Sequence, residues 1–125
     1  MKIYVAHSRE YDYKNELYKP ILESKLYKKI EFILPHLLDK VFNSKEVIND
    51  SDLFIAEVSY PAIGLGIEIG RAEAANKKIL FIHKDTAKVT SSLKYIKADT
   101  LIYSNDKDLI DKIDRYITEN FMIKN

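Results

Sequence analysis

Leu53-Phe54-Ile55-Ala56-Glu57-Val58, then Ser59-Tyr60-Pro61-Ala62, then Ile63-Gly64-Leu65-Gly66-Ile67-Glu68-Ile69-Gly70-Arg71-Ala72, is the stretch that decides how this chain folds. A short apolar run closes on a Ser-Tyr-Pro turn, and a helix-period segment rich in small residues follows at once. A strand that feeds directly into a helix is half of a parallel crossover unit. The same alternation continues outward on both sides. Apolar runs predict strands near 2–6, 31–34, 53–57, 79–83 and 100–103, and helical patterns predict helices near 11–28, 44–50, 64–77, 89–96 and 106–120. The last helix is the clearest. Leu109, Ile110, Ile113, Tyr116, Ile117 and Phe121 share one face, and Asp106, Asp108 and Asp111 suit its N-terminal turn. Pro20 lacks an N–H inside the first pattern, which predicts a kink or a division there. Five such units in 125 residues predict an α/β, flavodoxin-like (Rossmann-like) three-layer sandwich with a five-stranded parallel sheet in the order 2-1-3-4-5. Ligands of these sheets bind beyond the carboxyl ends of the strands, near the switch between strands 1 and 3. That directs attention to the residues after positions 6 and 57.

Composition narrows the function. The length suits one domain, and a hydrophobic fraction of 46% is enough for a real core. With 20 Lys+Arg against 19 Asp+Glu, the formal net charge of +1 argues against a nucleic-acid polymer as partner. Only three of the basic residues are arginines (Arg9, Arg71 and Arg115), so each bidentate fork is worth locating. The absence of cysteine excludes thiolate metal sites and a cysteine nucleophile. Apolar runs such as Ile79-Leu80-Phe81-Ile82 are too short to span a membrane. The N-terminal Met1-Lys2-Ile3-Tyr4-Val5-Ala6-His7 reads as a buried strand and not as a signal peptide, so a soluble, cytoplasmic protein is expected. His7, His36 and His83 each follow a predicted strand. Strands 1 and 4 flank strand 3, roughly 10 Å apart, so these histidines are read as loop caps and no metal site is expected.

All three glycines fall in seven residues: Gly64, Gly66 and Gly70. Gly66, Gly70 and Ala74 form a small-residue ridge that would let the helix approach the sheet, whereas Gly64 and Gly66 suit close approach of a ligand. The spacing is G-x-G-x-x-x-G after the third strand, which is neither a dinucleotide fingerprint nor a P-loop. Glu68 is read as standing in the opening turn, held ionised by free N–H groups and the helix dipole. A positioned carboxylate beside a pocket suits attack on an electrophilic sugar carbon, as in glycoside chemistry. Tyr60, beside the glycines, is either a base-stacking ring or an ordinary half-exposed tyrosine.

Asp52 to Pro61 followed by Gly64 to Ala72, with Tyr4-Val5-Ala6-His7-Ser8 at the N-terminus, resembles the nucleoside 2-deoxyribosyltransferase superfamily, including its 2'-deoxynucleoside 5'-monophosphate N-glycosidase branch. The resemblance implies one such domain over residues 1–125. It implies cleavage of the N-glycosidic bond of 2'-deoxynucleosides or their 5'-monophosphates through a covalent glutamyl–sugar intermediate. The sugar then passes to a second base (transferase) or to water (N-hydrolase). Glu68 maps to the nucleophile and Tyr4 to the residue that positions it. His7, Ser8 and Arg9 map to the substrate-contacting loop after strand 1. Ser59, Pro61, Ala62, Gly64 and Gly66 map to the loop that leads to the nucleophile. Ser91 or Ser92 would take the place of a serine that a neighbouring subunit lends to the 5'-phosphate. A homodimer or larger homo-oligomer, a small-molecule nucleoside or nucleotide as partner, and no cofactor are implied.

Two positions depart from that pattern. Ser44 stands where the family has its second acid and reads more simply as the N-cap of the short helix that follows. Ala62 replaces a Ser or Asp, so the leaving-group acid and the 5' group stay unassigned. Two other functions remain open: a TIR-like NAD glycohydrolase, with a Glu at the same edge of a similar sheet, and a catalytically weak nucleotide-binding module.

Overall fold

The computed structural model describes residues 1–37 and 43–121. Its five strands are β1 (Lys2–His7), β2 (Glu31–Ile33), β3 (Leu53–Glu57), β4 (Ile79–Lys84) and β5 (Asp99–Tyr103). They form one parallel sheet in the order β2-β1-β3-β4-β5, as the sequence predicts. His7 lies opposite Glu57 in the β1/β3 register, so the last residues of these two strands sit side by side at the switch point.

The near-continuous apolar runs follow from burial on both faces of the sheet. Ile3, Val5, Leu53, Ile55, Leu80 and Ile82 point to one side, where Leu17 and Ile21 and the face of α4 (Asp106–Phe121) cover them. The alternate residues Tyr4, Ala6, Phe54, Ala56, Ile79 and Phe81 point to the other side. Ile48 of α2 (Ser44–Asn49) and Leu65, Ile69 and Ala72 of α3 (Ile63–Ala74) cover that side. In α4, Leu109, Ile113, Tyr116 and Ile117 are buried as the periodicity requires, with Ile110 and Phe121 packed at the margin.

Several local expectations are corrected. The first helical pattern divides into a π-helical turn (Lys14–Tyr18), α1 (Lys19–Glu23) with Pro20 in its first turn, and a 3₁₀ turn (Lys25–Lys28). Proline lacks the N–H that a continuous helix would need there, so the chain changes winding around it. The segment predicted near 89–96 contains only a 3₁₀ turn, Ser91–Tyr95. The cap of α2 is Asn43, whose Oδ1 accepts from the Lys45 N–H at 3.1 Å, and Ser44 is the first helical residue. The Gly66–Gly70–Ala74 ridge faces away from the sheet. A Cβ at Gly66 or Gly70 would meet nothing within 4 Å, so close packing does not explain these glycines.

Candidate active site

Beyond the carboxyl ends of β1 and β3 lies a cavity of about 800 Å³. The β1 end contributes His7 and Arg9 to it, and Ser44 comes from α2. The entrance of α3 contributes Pro61, Ala62 and Gly64, and Glu68 and Arg71 come from its next turns. Tyr4 belongs to the β1 face that looks toward α3, and its ring stacks on Phe54 with centroids 5.7 Å apart and planes 4° apart. That packing aims the phenol at Glu68, and the Tyr4 hydroxyl donates to Glu68 Oε2 at 2.5 Å.

Glu68 is the sixth residue of α3 and stands in its second turn. The expectation of an opening-turn carboxylate is therefore corrected, because dipole stabilisation fades beyond the first turn. Side chains do the work instead. Burial pushes the Glu68 carboxyl above its usual range, while hydrogen bonds from Tyr4 and Ser44 and the charge of Arg71 pull it back down. Burial and the adjacent carboxylate raise the Tyr4 phenol, so its proton stays on oxygen and points at Glu68. Arg71 Nη1 donates to Ser44 Oγ at 2.7 Å, tying α3 to α2 beside the carboxylate.

The histidine at the end of β1 is almost fully buried. Tyr18 Oη accepts from the His36 N–H at 2.9 Å, which leaves the Tyr18 proton for His7 Nε2 at 2.7 Å. His7 Nδ1–H then donates to the Ser8 carbonyl at 2.8 Å, a tautomer assigned from this network. Burial lowers the His7 pKa to about 4, so the ring is neutral at neutral pH. Burial and the charge of Arg9 also lower that of His36, whose ring meets His7 at 5.2 Å.

Not every residue singled out in the sequence reaches this cavity. Glu68, His7, Arg9, Pro61, Ala62 and Gly64 line it, with Tyr4 directly behind Glu68. Ser8 is buried beside it, and its Oγ accepts from the Glu10 N–H at 3.0 Å. Gly66 and Ser91 line a neighbouring apolar cavity of about 500 Å³ that shares Pro61 and Ala62. Ser92, exposed in the 3₁₀ turn, lines neither. Ser59 serves the other face of the sheet. Its N–H and Oγ donate to the carboxylate of the fully buried Glu57, at 2.6 and 2.9 Å, and Tyr103 Oη also donates there. Ser59 Oγ in turn accepts from the Lys84 N–H at 2.8 Å. Tyr60 stacks on Tyr11 with centroids 4.6 Å apart, and its hydroxyl accepts from Lys84 Nζ at 3.0 Å. Arg71, Ser44, His36 and Glu10 line the cavity but were missed as site residues. Arg71 could have been found from its i+3 spacing to Glu68, which puts both on one helix face.

A carboxylate steadied by a phenol, a hydroxyl and a guanidinium, at the switch point of a doubly wound sheet, defines a candidate glycosidase-type site. The fold is similar to that of a solved CMP N-glycosidase from Clostridium botulinum, with a TM-score of 0.67 and 24% identity over 91% of this chain and 99% of that one. Curated relatives carry the same class of name. A 5-hydroxymethyl-dUMP N-hydrolase of Danio rerio is 40% identical over 58 residues, 44% of this chain and 41% of that protein. The Homo sapiens 5-hydroxymethyl-dUMP N-hydrolase is 44% identical over 39 residues, 31% of this chain and 22% of that protein. A third, from Branchiostoma floridae, is 46% identical over 37 residues, 30% of this chain and 35% of that protein. The matched segments span less than half of each curated relative's length. No family model matches the chain. Both comparisons agree with the superfamily resemblance carried by Tyr4 and the Glu68 segment.

Proposed function

We propose that the chain cleaves the N-glycosidic bond of 2'-deoxynucleoside 5'-monophosphates or their nucleosides, with Glu68 as nucleophile. The observation that carries this reading is the Tyr4–Glu68 hydrogen bond inside the switch-point cavity. Glu68 attacks the anomeric carbon as the base departs, giving a glutamyl–sugar ester that an acceptor then opens. A 2-deoxy sugar lacks the electron-withdrawing 2'-hydroxyl, so an oxocarbenium-like transition state is easier to reach. Tyr4 holds the attacking oxygen and keeps it ionised. Arg9, exposed on the cavity wall, is the cation available to a 5'-phosphate. The hydrolase names of the curated relatives favour water as acceptor over a second base.

The same reading includes self-assembly. Ile63 is 86% exposed and Ile67 52% exposed at the cavity mouth, an apolar margin suited to cover by a second copy of the chain. Among the described residues, no helix is long and apolar enough to cross a membrane.

The test is chromatography of free base released from deoxynucleosides and their monophosphates by wild type and by Glu68→Gln, with and without an acceptor base. Release that depends on Glu68 is the expected result, and acceleration by the acceptor would identify a transferase. No release from any substrate would overturn the reading, and NAD cleavage would replace it.

A further inference from the structure

The group that faces Glu68 from α2 is a hydroxyl tied to a guanidinium, where a leaving-group acid would be useful. Ser44 Oγ accepts from Arg71 at 2.7 Å, and its own proton serves Glu68. Other protons near the carboxylate are committed as well. The Tyr4 proton is on Glu68, the His7 Nδ1 proton is on the Ser8 carbonyl, and His7 Nε2 is an acceptor. Glu10, at the exposed rim, is the other carboxyl among the described residues of the cavity wall.

Charge accounting shows that this site has no need of an acid. When Glu68 attacks, its Oε–C1' bond forms and the C1'–N bond breaks, with the electron pair leaving on the base nitrogen. One negative charge moves from the carboxylate to the base, and the total charge of the cavity is unchanged. The fixed cation that balances Glu68 before the step balances the departing base after it. Resting on the N-glycosidase reading, we propose that this site expels its nucleobase as an anion, with Arg71, anchored by Ser44, as the balancing cation. The anion takes its proton from water once free, and a second water opens the ester, restoring the carboxylate and releasing its proton. The favoured substrates are nucleotides whose base anion is delocalised onto carbonyls, the pyrimidine-2,4-diones. Cytosine and adenine, whose departure is helped by protonation, are disfavoured.

The experiment measures single-turnover base release from 2'-deoxyuridine 5'-monophosphates bearing fluoro, bromo, hydrogen or methyl at C5, which changes N1–H acidity with little change in shape. The expected result is a steep dependence, about fivefold in rate for each tenfold in base acidity. Ser44→Asp should flatten that slope by supplying an acid. Arg71→Met should slow the methyl substrate most, with Arg71→Lys restoring part of the loss. A flat dependence in wild type would overturn the inference. So would a slope that steepens in Glu10→Gln, or in Asp39→Asn (a residue outside those described), since either would reveal a working acid. Glu68-dependent release with a flat slope removes only this inference, whereas release that persists in Glu68→Gln removes the nucleophile assignment beneath it.

Discussion

Tyr4 and Glu68, 64 positions apart in the chain, meet at 2.5 Å where β1 passes beneath the second turn of α3. The tyrosine is fully buried and locked by its stack on Phe54, so the carboxylate is the partner that must conform. This contact lets a largely desolvated glutamate keep one oxygen fixed while the other faces the cavity.

Replacing Glu68 by Gln should reduce base release by about a thousandfold or more, as expected for loss of a covalent route. The fold should survive. Burial disfavours the ionised carboxyl, so the amide lifts a burden, and the unfolding midpoint should be no lower than that of wild type. Activity near the wild-type level would end the proposed chemistry. A midpoint well below wild type would show Glu68 to be structural.

Tyr4→Phe should move the acidic limb of the kcat/KM profile toward higher pH. Glu68 must be ionised to attack, its pKa is already raised, and the Tyr4 hydrogen bond opposes that rise. Without the phenol the folded pKa climbs further, so activity is lost sooner as pH falls. Losing a hydrogen bond to a charged group should also cost about 10- to 100-fold in rate at neutral pH. The stability sign follows from the same shift. The native state holds the Glu68 proton more tightly than the unfolded chain, so this group favours folding below its raised pKa and opposes it above. An unmoved limb with an unchanged rate would remove Tyr4 from the site.

The fold was legible because each strand is an uninterrupted apolar run and each run is followed by a polar or glycine-bearing turn. The Tyr4–Glu68 pair was legible through the resemblance, since nothing local connects β1 to α3. Sequence failed where phase or distance decides. The Gly66–Gly70–Ala74 spacing describes a ridge on either side of a helix, and only the packing of Leu65, Ile69 and Ala72 shows which side meets the sheet. Ser44 looks like a cap from its neighbours, yet its hydrogen-bond partner is 27 residues downstream. Glu57 fits an alternating strand pattern poorly, and its partners Ser59 and Tyr103 come from a turn and another strand.

Glu57→Ala should destabilise the protein by about 3 kcal/mol or more, measured by denaturant unfolding. Three buried donors, the Ser59 N–H, the Ser59 hydroxyl and the Tyr103 hydroxyl, would lose their acceptor at once. Glu57→Gln keeps one carbonyl oxygen and should cost less than half as much. Equal losses from both variants would show that side-chain volume, and not the hydrogen bonds, makes this position matter.

The His7 network makes a pH prediction separable from the carboxylates. In the unfolded chain His7 titrates near its ordinary 6.5, and in the fold burial lowers it to about 4. Between these values the unfolded state binds more protons, so the contribution of His7 to stability is full above pH 6.5 and is lost as pH falls toward 4. The shift corresponds to about 3 kcal/mol. Glu57 and Glu68, whose pKa values are raised, work in the opposite direction as pH falls, so the wild-type curve alone blends the two. His7→Gln removes only the histidine and leaves an amide for Tyr18 and the Ser8 carbonyl. Unfolding free energies of both proteins at pH 7 and pH 4 should therefore show wild type losing about 3 kcal/mol more than the variant on acidification. Parallel losses would mean that His7 is charged in the fold, and the tautomer drawn through Tyr18 and Ser8 would be wrong.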